Sequence, residues 1–560
     1  MPALQPNPGN SAAAGSFDAV VVGAGFAGMA MLHRLRGLGL SVRVLEAAED
    51  VGGAWFWNRY PGARCDVESI QYSFRFSDEL QQDWTWSERY ASQPELLRYA
   101  QHVADRFDMR KDISFGRRVT SATYDERALL WSVTTDDDAM LTARYCIMAA
   151  GCLSCPSRPE IEGLQSFAGD IYQTSAWPRD GVDLAGKRIG LIGTGSSGVQ
   201  ATPQLAAQGG RLTVFQRSAA YAVPDHNRGF NAGELDEVKR NYKTLRAHWW
   251  NTPRGMDLHP SGISALQVDA AERERMYEEY WARGGVAFQG VFNDLAVNLE
   301  ANDTINAFFR KKIREVVKDP ATAEKLTPKH RFSTKRLCVG SGYYEAFNKP
   351  NVDLVDLREN PIARIMPDGV ETAKSFIPLD VLVFATGFDA MTGTLLRIDV
   401  RGRGGCRLSE TWAEGPATYL GVGMAGFPNL FVVAGPGSPS VLANVITAIE
   451  QHALWIGDLV AHMEKNRIVA AEPTEAAQAE WRRQCDKSAA HLLLVKGNSW
   501  YMGSNIPGKP RVFMPFYGFS DYTAICENVQ AAGYEGFVFR KAGAKAGHAA
   551  AGVRPRRVDA

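Results

Sequence analysis

Two glycine-rich turns of one kind, far apart in the chain, constrain the fold of this sequence more than any other feature. They read Gly23-Ala-Gly25-Phe-Ala-Gly28 and Gly193-Thr194-Gly195-Ser196-Ser197-Gly198. Each follows a short apolar run that is typical of a buried parallel strand. Glycines in such a turn let the backbone approach a pyrophosphate at the N-terminus of the next helix. The pattern predicts two dinucleotide-binding folds, with these turns as cofactor-binding residues.

The residues after each turn indicate which dinucleotide it binds. Past the first turn, a helical run and a second strand end in Glu46, whose carboxylate can bind ribose hydroxyls. The equivalent place after the second turn holds Gln216 and Arg217. Since an arginine there favours a 2′-phosphate, we expect NADP rather than NAD in the second fold. A solvated surface arginine remains the alternative for Arg217.

Composition excludes several classes of protein. The 560 residues include 62 basic and 62 acidic side chains, so no excess charge directs the chain to nucleic acid or to an anionic membrane. No apolar run reaches the roughly 20 residues that span a bilayer, and Met1 to Ser16 lacks a signal-peptide core. The eight cysteines are too dispersed for a disulfide framework, and none has zinc-type spacing. We expect a cytoplasmic, metal-free enzyme of small molecules that is a monomer or a weak oligomer.

The order of predicted elements gives an α/β fold of two Rossmann-like domains with a helical insertion. Charged helical patterns, which include predicted helices at 270–283 and 302–317, interrupt the second domain, and two later strands resume it. A capping box, Ser92-Gln-Pro94-Glu95, is expected to begin a packing helix. The predicted divisions are a first dinucleotide-binding domain at 17–151 and 385–540, a second, NADP-binding domain at 152–230 and 330–384, a helical insertion at 231–329, and disordered tails at 1–16 and 541–560.

Several further motifs accompany the two turns. They are Phe167-x-Gly169 followed by Trp177-Pro178, then Gly52-Gly53-x-Trp55, Asn58-Arg59-Tyr60-Pro61-Gly62, Ala385-Thr386-Gly387-Phe388-Asp389 and Trp500-Tyr501-x-Gly503. Together they closely resemble type I Baeyer-Villiger monooxygenases, nearest to the phenylacetone and steroid monooxygenase branch. The resemblance covers the chain from Asp18 to Arg540. It implies FAD in the first fold, NADPH in the second, and O₂ and a ketone as substrates, with the ketone converted to an ester or lactone through a flavin peroxide.

The resemblance also implies roles for individual residues. Arg336 would be the catalytic cation, held by Asp66, while Lys335 would join Arg217 on the 2′-phosphate and Trp500 would contact the nicotinamide half. A solvated face is the alternative for the Lys335-Arg336 pair. Further cofactor contacts are expected at Gly53, Trp55, Asp66, Tyr72, Arg336 and Asp389. The expected substrate-side residues are Ser440, Val441, Leu442, Met502 and Met514, whose mostly apolar character suits aryl, cyclic or steroid ketones.

One position departs from the family pattern: Gln173 stands where the family carries a histidine. Glutamine donates and accepts hydrogen bonds but cannot become cationic. We therefore expect an active enzyme whose NADPH oxidation is coupled differently to oxygen insertion.

Three rival functions remain open from the sequence. A disulfide reductase would use Cys152 and Cys155 as a redox pair, although no activating base lies near them in sequence. A heteroatom-hydroxylating flavin monooxygenase shares the two turns, and a non-catalytic flavoprotein is the third alternative.

Overall fold

The computed structural model describes residues 15–511 and 518–542. Within these residues, the strands are β1 Gly15–Val22, β2 Val42–Leu45, β3 Ile113–Ser114, β4 Val119–Asp125, β5 Leu130–Thr135, β6 Met140–Met148, β7 Asp170–Gln173, β8 Arg188–Ile192, β9 Arg211–Gln216, β10 Ala222–Val223, β11 Cys338–Val339, β12 Val352–Asp356, β13 Ile362–Met366, β14 Gly369–Thr372, β15 Phe376–Pro378, β16 Val381–Phe384, β17 Asp399–Arg401, β18 Leu430–Val432, β19 Ile468–Pro473 and β20 Phe537–Lys541.

The α-helices of the same residues are α1 Phe26–Gly37, α2 Ala54–Trp57, α3 Asp78–Asp83, α4 Gln93–Arg106, α5 Ser196–Gln208, α6 Ala232–Trp250, α7 Ala270–Arg283, α8 Leu299–Val316, α9 Pro320–Leu326, α10 Tyr343–Ala346, α11 Gly393–Leu396, α12 Leu408–Thr411, α13 Val445–Lys465, α14 Glu475–Ala489 and α15 Phe519–Ala531. None of these helices is long and apolar enough to cross a membrane.

The larger sheet has the strand order β17-β4-β5-β6-β1-β2-β3, and β18 also pairs with β6. Its centre is parallel: β1 pairs with β2 on one side and with β6 on the other. Val20 and Val21 of β1 are both fully buried, one on each face, as an apolar run requires in a sheet covered on both sides. The late strands β17 and β18 return the chain to this first sheet.

A second sheet carries the other glycine turn. Its order is β12-β9-β8-β16-β7, and every pairing in it is parallel. Helix α5 connects β8 to its parallel neighbour β9 and so forms a βαβ unit. Two sheets with parallel strands at the glycine turns, one mixed and one wholly parallel, confirm the predicted α/β fold with two Rossmann-like cores.

Between β10 and β11 the chain is mainly helical, with α6 to α9 in sequence. Helix α7 has the bounds that its charge pattern predicts. Helix α8 begins at Leu299 rather than at Asn302, because the Asn298 side chain caps it by accepting from the backbone of Glu300 and Ala301.

The predicted capping box at the start of α4 is wrong. Ser92 is the N-cap residue, but its side chain makes no capping hydrogen bond. The Glu95 carboxylate accepts instead from the backbone N–H and the hydroxyl of Ser87, at 2.8 Å each. The Glu95 carboxylate therefore satisfies the donors of Ser87 in the preceding loop. Helix α4 begins without the reciprocal hydrogen bonds between Ser92 and Glu95 that define a capping box.

The predicted tails lie outside the described residues except at their inner ends. There, Gly15 and Ser16 pair with β6, and Lys541 ends β20. Strand structure therefore includes two residues of the predicted N-terminal tail and one of the predicted C-terminal tail.

Candidate cofactor and active site

The first glycine turn has a backbone that requires glycine. Gly23 has a φ of +102°, and a Cβ there would lie 2.7 Å from the Ala149 carbonyl oxygen. A Cβ on Gly28 would lie 1.8 Å from the Gly23 carbonyl oxygen, so helix α1 could not approach β1. The Cα of Gly53 would be 3.3 Å from a Cβ on Gly25. Three loops thus meet as bare backbone, which is what close approach to a pyrophosphate needs.

Glu46 lies directly beneath this turn. It is 5% exposed, and its carboxylate accepts from the backbone N–H of Ala24 at 2.5 Å and of Ala48 at 2.7 Å. Burial raises the pKa of Glu46, while these backbone hydrogen bonds oppose the rise. Each carboxylate oxygen keeps a lone pair that can accept from a ribose hydroxyl.

Aromatic side chains surround the loop that follows. The Trp55 indole N–H donates to the Tyr72 hydroxyl at 3.2 Å, and the two rings meet edge to face. Tyr72 also contacts Phe26 of helix α1 edge to face. Trp55, Tyr72 and Gly53 therefore belong to one wall beside the first glycine turn.

The second glycine turn repeats the first and leaves open space. Gly193 has a φ of +113°, and a Cβ there would lie 2.4 Å from the Ala385 carbonyl oxygen. A Cβ on Gly198 would lie 2.1 Å from the Gly193 carbonyl oxygen. No described atom stands within 4 Å of the Cβ position of Gly195. The turn also contains Thr194, which donates to the Ser218 carbonyl at 2.8 Å, and Ser196 and Ser197 at the start of α5.

Two cations lie close together beside this second turn. Arg217 is exposed at the end of β9, and Lys335 is partly buried. Burial lowers the pKa of Lys335, and the Arg217 charge lowers it further. Neither side chain has an ion pair with a described residue. Two unpaired cations suit the phosphate that distinguishes NADP from NAD.

Arg336 and Asp66 form an ion pair between segments 270 residues apart. The Nε and Nη2 of Arg336 donate to Asp66 Oδ2 at 2.9 and 2.6 Å. Burial disfavours the Arg336 charge, but the Asp66 carboxylate and the Tyr501 hydroxyl outweigh it and raise the pKa of Arg336. The guanidinium is therefore cationic at any working pH. Sequence reasoning missed Tyr501, although it follows Trp500 in a recognised motif.

The predicted substrate loop lies against this pair. Arg336 Nη1 donates to the Val441 carbonyl oxygen at 3.2 Å, and Arg254 Nη1 donates to that of Leu442 at 2.7 Å. Two arginines therefore hold adjacent carbonyls of one short turn. Ser440 in that turn has a φ of +42°, and its hydroxyl donates to the Cys152 sulfur at 3.7 Å. Arg254 carries no sequence signal, because its acceptor is backbone from a distant segment.

An apolar cluster covers the same turn. Trp500 packs against the buried pair Ala390 and Met391, and so do Val441 and Leu442 of the turn. Cys152 and Leu153 complete this cluster. Met502 is fully buried in the same short 3₁₀ turn as Trp500. Met514 lies outside the described residues. The structure thus brings Trp500 to the loop beside Arg336.

Asp389 has a partner that the sequence did not predict. The Lys509 ammonium forms an ion pair with its carboxylate and donates to the Ala390 carbonyl at 2.6 Å. Asn505 donates to the Phe388 carbonyl at 2.8 Å. These contacts fasten the Ala385–Asp389 motif to the segment that carries Trp500.

Gln173 ends strand β7 and pairs with Phe384 of β16. Its amide donates to the Ser157 carbonyl and accepts from Arg158 Nε, both at 3.3 Å. It therefore links the edge of the second sheet to the connection that enters it.

Cys152 and Cys155 are free thiols. Burial raises the pKa of both, whereas a redox-active cysteine needs a lowered pKa. This environment gives the disulfide-reductase reading no support.

Fold and site together define an oxidoreductase of the kind that binds two dinucleotide cofactors. The family model described as "Pyridine nucleotide-disulphide oxidoreductase" matches residues 20–246. A phenazine N-monooxygenase of Lysobacter antibioticus is 43% identical over 527 residues, covering 93% of this chain and 97% of that protein. A Baeyer-Villiger monooxygenase of Pseudooceanicola batsensis is 42% identical over 529 residues, covering 93% and 96%.

Solved structures agree over the whole fold. An oxidised steroid monooxygenase bound to NADP has a TM-score of 0.90 at 50% identity and covers 94% of this chain and 99% of that chain. A structure titled OTEMO in complex with FAD and NADP has a TM-score of 0.91 at 40% identity, covering 94% and 99%.

The chain belongs to the Baeyer-Villiger monooxygenases. Its cofactors are FAD and NADPH, and its reaction inserts one oxygen atom of O₂ beside a ketone carbonyl. The recognition from sequence motifs is confirmed.

Proposed function

We propose that this enzyme converts uncharged aryl, cyclic or steroid ketones into esters or lactones at the turn formed by Ser440, Val441 and Leu442. The observation that carries the proposal is the Arg336 guanidinium, fixed by Asp66 and in contact with the Val441 carbonyl. It combines a permanent cation with the apolar cluster around Trp500. A neutral ketone suits that combination, because an apolar wall disfavours a charged substrate.

FAD, reduced by NADPH, supplies the activated oxygen when both cofactors are bound. We assign FAD to the first glycine turn, with Glu46, Gly53, Trp55 and Tyr72 around it. We assign NADPH to the second, with Arg217 and Lys335 on its 2′-phosphate. The bare backbone at Gly25 and the open space at Gly195 support this fit.

Arg336 acts as the electrostatic catalyst in this proposal. Oxygen insertion develops negative charge on the attacking and carbonyl oxygens, and a preorganised donor typically stabilises such charge by about 3 to 4 kcal/mol. Asp66 and the Val441 carbonyl hold the guanidinium in place before reaction, so little reorganisation is required. The apolar side chains around Trp500 lower the local polarity, and a less polar surrounding strengthens the interaction.

The domain division follows the two sheets. We assign 17–151 and 385–540 to the FAD domain, since β17 and β18 join the first sheet. Residues 152–230 and 330–384 form the NADP domain, and 231–329 the helical insertion. A monomeric or weakly oligomeric state and a cytoplasmic location remain predictions.

Product analysis on a substrate panel tests the proposed function. The FAD-loaded protein is given NADPH with phenylacetone, cyclohexanone, a progesterone-like steroid, and a ketone bearing a carboxylate. We expect esters or a lactone from the neutral ketones and little product from the anionic one. Turnover of the anionic ketone alone would overturn the assignment.

N-oxidation of a phenazine is the second candidate function, favoured by the 43% identical phenazine N-monooxygenase. Phenazine belongs in the same panel. An N-oxide without any ester would replace the ketone proposal with this one.

A further inference from the structure

A cleft of about 580 Å³ is lined by none of the glycines of the two turns. On one side is helix α4, with Leu97, Arg98 and Gln101 facing the cleft, and on the other are Val182 and Gln208. Gln208 ends α5, whereas the second glycine turn begins it. Thirteen residues of helix put these ends about 18 Å apart, so the cleft is separate from the NADPH site.

Three arginines line this cleft: Arg59, Arg98 and Arg179. We call it the arginine cleft. The guanidinium carbons of Arg59 and Arg179 lie 4.7 and 4.8 Å from the centroid of one ring, that of Phe56. Arg59 Nε also donates to the Phe56 carbonyl at 2.9 Å. The buried ring of Phe56 therefore makes cation–π contacts with two arginines.

The positive charge of the arginine cleft is incompletely balanced. Arg179 pairs with Glu49 at 2.7 Å, but the Glu49 side chain is 65% exposed. Among the described residues, Arg59 and Arg98 have no ion-pair partner. Burial lowers the pKa of Arg59, and the Arg179 charge lowers it further. An anion in the cleft would relieve this repulsion.

We propose that the arginine cleft binds a small organic phosphate at a site distinct from both dinucleotide sites. Guanidinium groups present planar donors that match phosphate oxygens. The cleft has the volume of an ordinary ligand pocket, far larger than an inorganic ion requires. Leu97 and Val182 supply apolar walls for the organic part.

The arginine cleft lies between elements that pack on the two different sheets. Helix α4 packs in the core of the first sheet through Leu96 and Ala100, whereas Trp177 and Val182 pack in that of the second. A ligand bound to arginines on both sides joins the two units. It should therefore stabilise the folded enzyme.

Calorimetric titration of the full-length, FAD-loaded enzyme tests the proposal, with NADP⁺ present in saturating amount to fill the dinucleotide site. Phenyl phosphate is the organic probe, and inorganic phosphate is the comparison. We expect saturable binding of phenyl phosphate that is tighter than that of inorganic phosphate, together with a higher Tm. Tighter or equal binding of the inorganic ion would overturn the organic-phosphate assignment, as would the absence of saturable binding.

Variants locate the binding. Arg98→Gln and Arg179→Gln should each weaken phenyl phosphate binding roughly tenfold or more, since hydrogen bonds to charged groups are the strong ones. Arg127→Gln is the matched control, an exposed arginine outside the cleft, and should change nothing. Glu49→Gln removes the carboxylate that competes for Arg179 and should therefore tighten the binding of phenyl phosphate. An increase in affinity cannot be explained by a misfolded variant. Equal affinities in all four variants would refute the site.

Discussion

Arg336 donates two hydrogen bonds to a single oxygen of Asp66, at 2.9 and 2.6 Å, and a third to the carbonyl of Val441. The guanidinium is thereby fixed between the residue that balances its charge and the loop proposed to receive substrate. Preorganised charge is most effective when it needs no reorientation during reaction. This relationship joins the fold to the proposed chemistry.

Arg336→Gln should reduce ester formation by roughly 10² to 10³-fold, because it removes the cation at the developing charge. NADPH oxidation should persist, since Arg217 and Lys335 are untouched. Parallel assays of NADPH consumption and ester yield measure the two effects. Asp66→Asn keeps the guanidinium but removes its anion, and should give a smaller loss. Wild-type ester formation by Arg336→Gln would contradict the catalytic role.

Arg217→Gln should raise the KM for NADPH by roughly ten- to a hundredfold and leave that for NADH unchanged. The reason is the loss of a guanidinium from the proposed 2′-phosphate site. Arg211→Gln is the control, because Arg211 is exposed on the same strand and pairs with Asp353. An equal rise in the KM for NADPH and for NADH would mean that Arg217 does not recognise the 2′-phosphate.

The KM for NADPH should increase as the pH is raised, and the increase should begin at a lower pH than the usual pKa of a lysine. The pKa of Lys335 is lowered by burial and by Arg217, so its ammonium loses the proton earlier than a free lysine would. The charged form is the one that binds phosphate, and binding therefore weakens as pH rises through that pKa. Lys335→Arg remains charged and should flatten the profile. Identical profiles for wild type and Lys335→Arg would exclude Lys335 as the cause.

Gln173→His should change the fraction of NADPH oxidation that ends as hydrogen peroxide. Gln173 accepts from Arg158, and an imidazole that is protonated below about pH 6.5 cannot accept there. The peroxide yield should consequently become pH-dependent around that value. Gln173→Leu lacks both the amide and the charge and controls for loss of the hydrogen bonds alone. An unchanged yield at every pH would end the coupling hypothesis.

The sequence predicted the elements whose signals are local. The glycine turns, helix α7 and the core strands follow from periodicity and from backbone conformations that only glycine adopts readily. The start of α4 shows the limit of this reasoning, because Glu95 turned to Ser87 instead of Ser92. The Glu95 carboxylate can accept either from the backbone N–H of Ser92 or from a donor in a neighbouring loop, and tertiary packing decides between them.

The long-range contacts of the site could not be predicted from local sequence patterns. The Arg336–Asp66 pair was predicted only through family resemblance, since nothing in the spacing of residues 270 apart implies contact. Arg254 and Lys509 were missed because their acceptors are a backbone carbonyl and a carboxylate assigned to a different role. Such contacts become visible only when the segments are assembled.

The most direct test of the central claim is the origin of the inserted oxygen. The purified, FAD-loaded enzyme is given NADPH, a neutral ketone such as phenylacetone, and ¹⁸O₂, and the product is analysed by mass spectrometry. We predict an ester carrying one labelled oxygen atom in the wild type and almost none in Arg336→Gln. An unlabelled product, or peroxide as the sole product from every neutral ketone, would contradict the account.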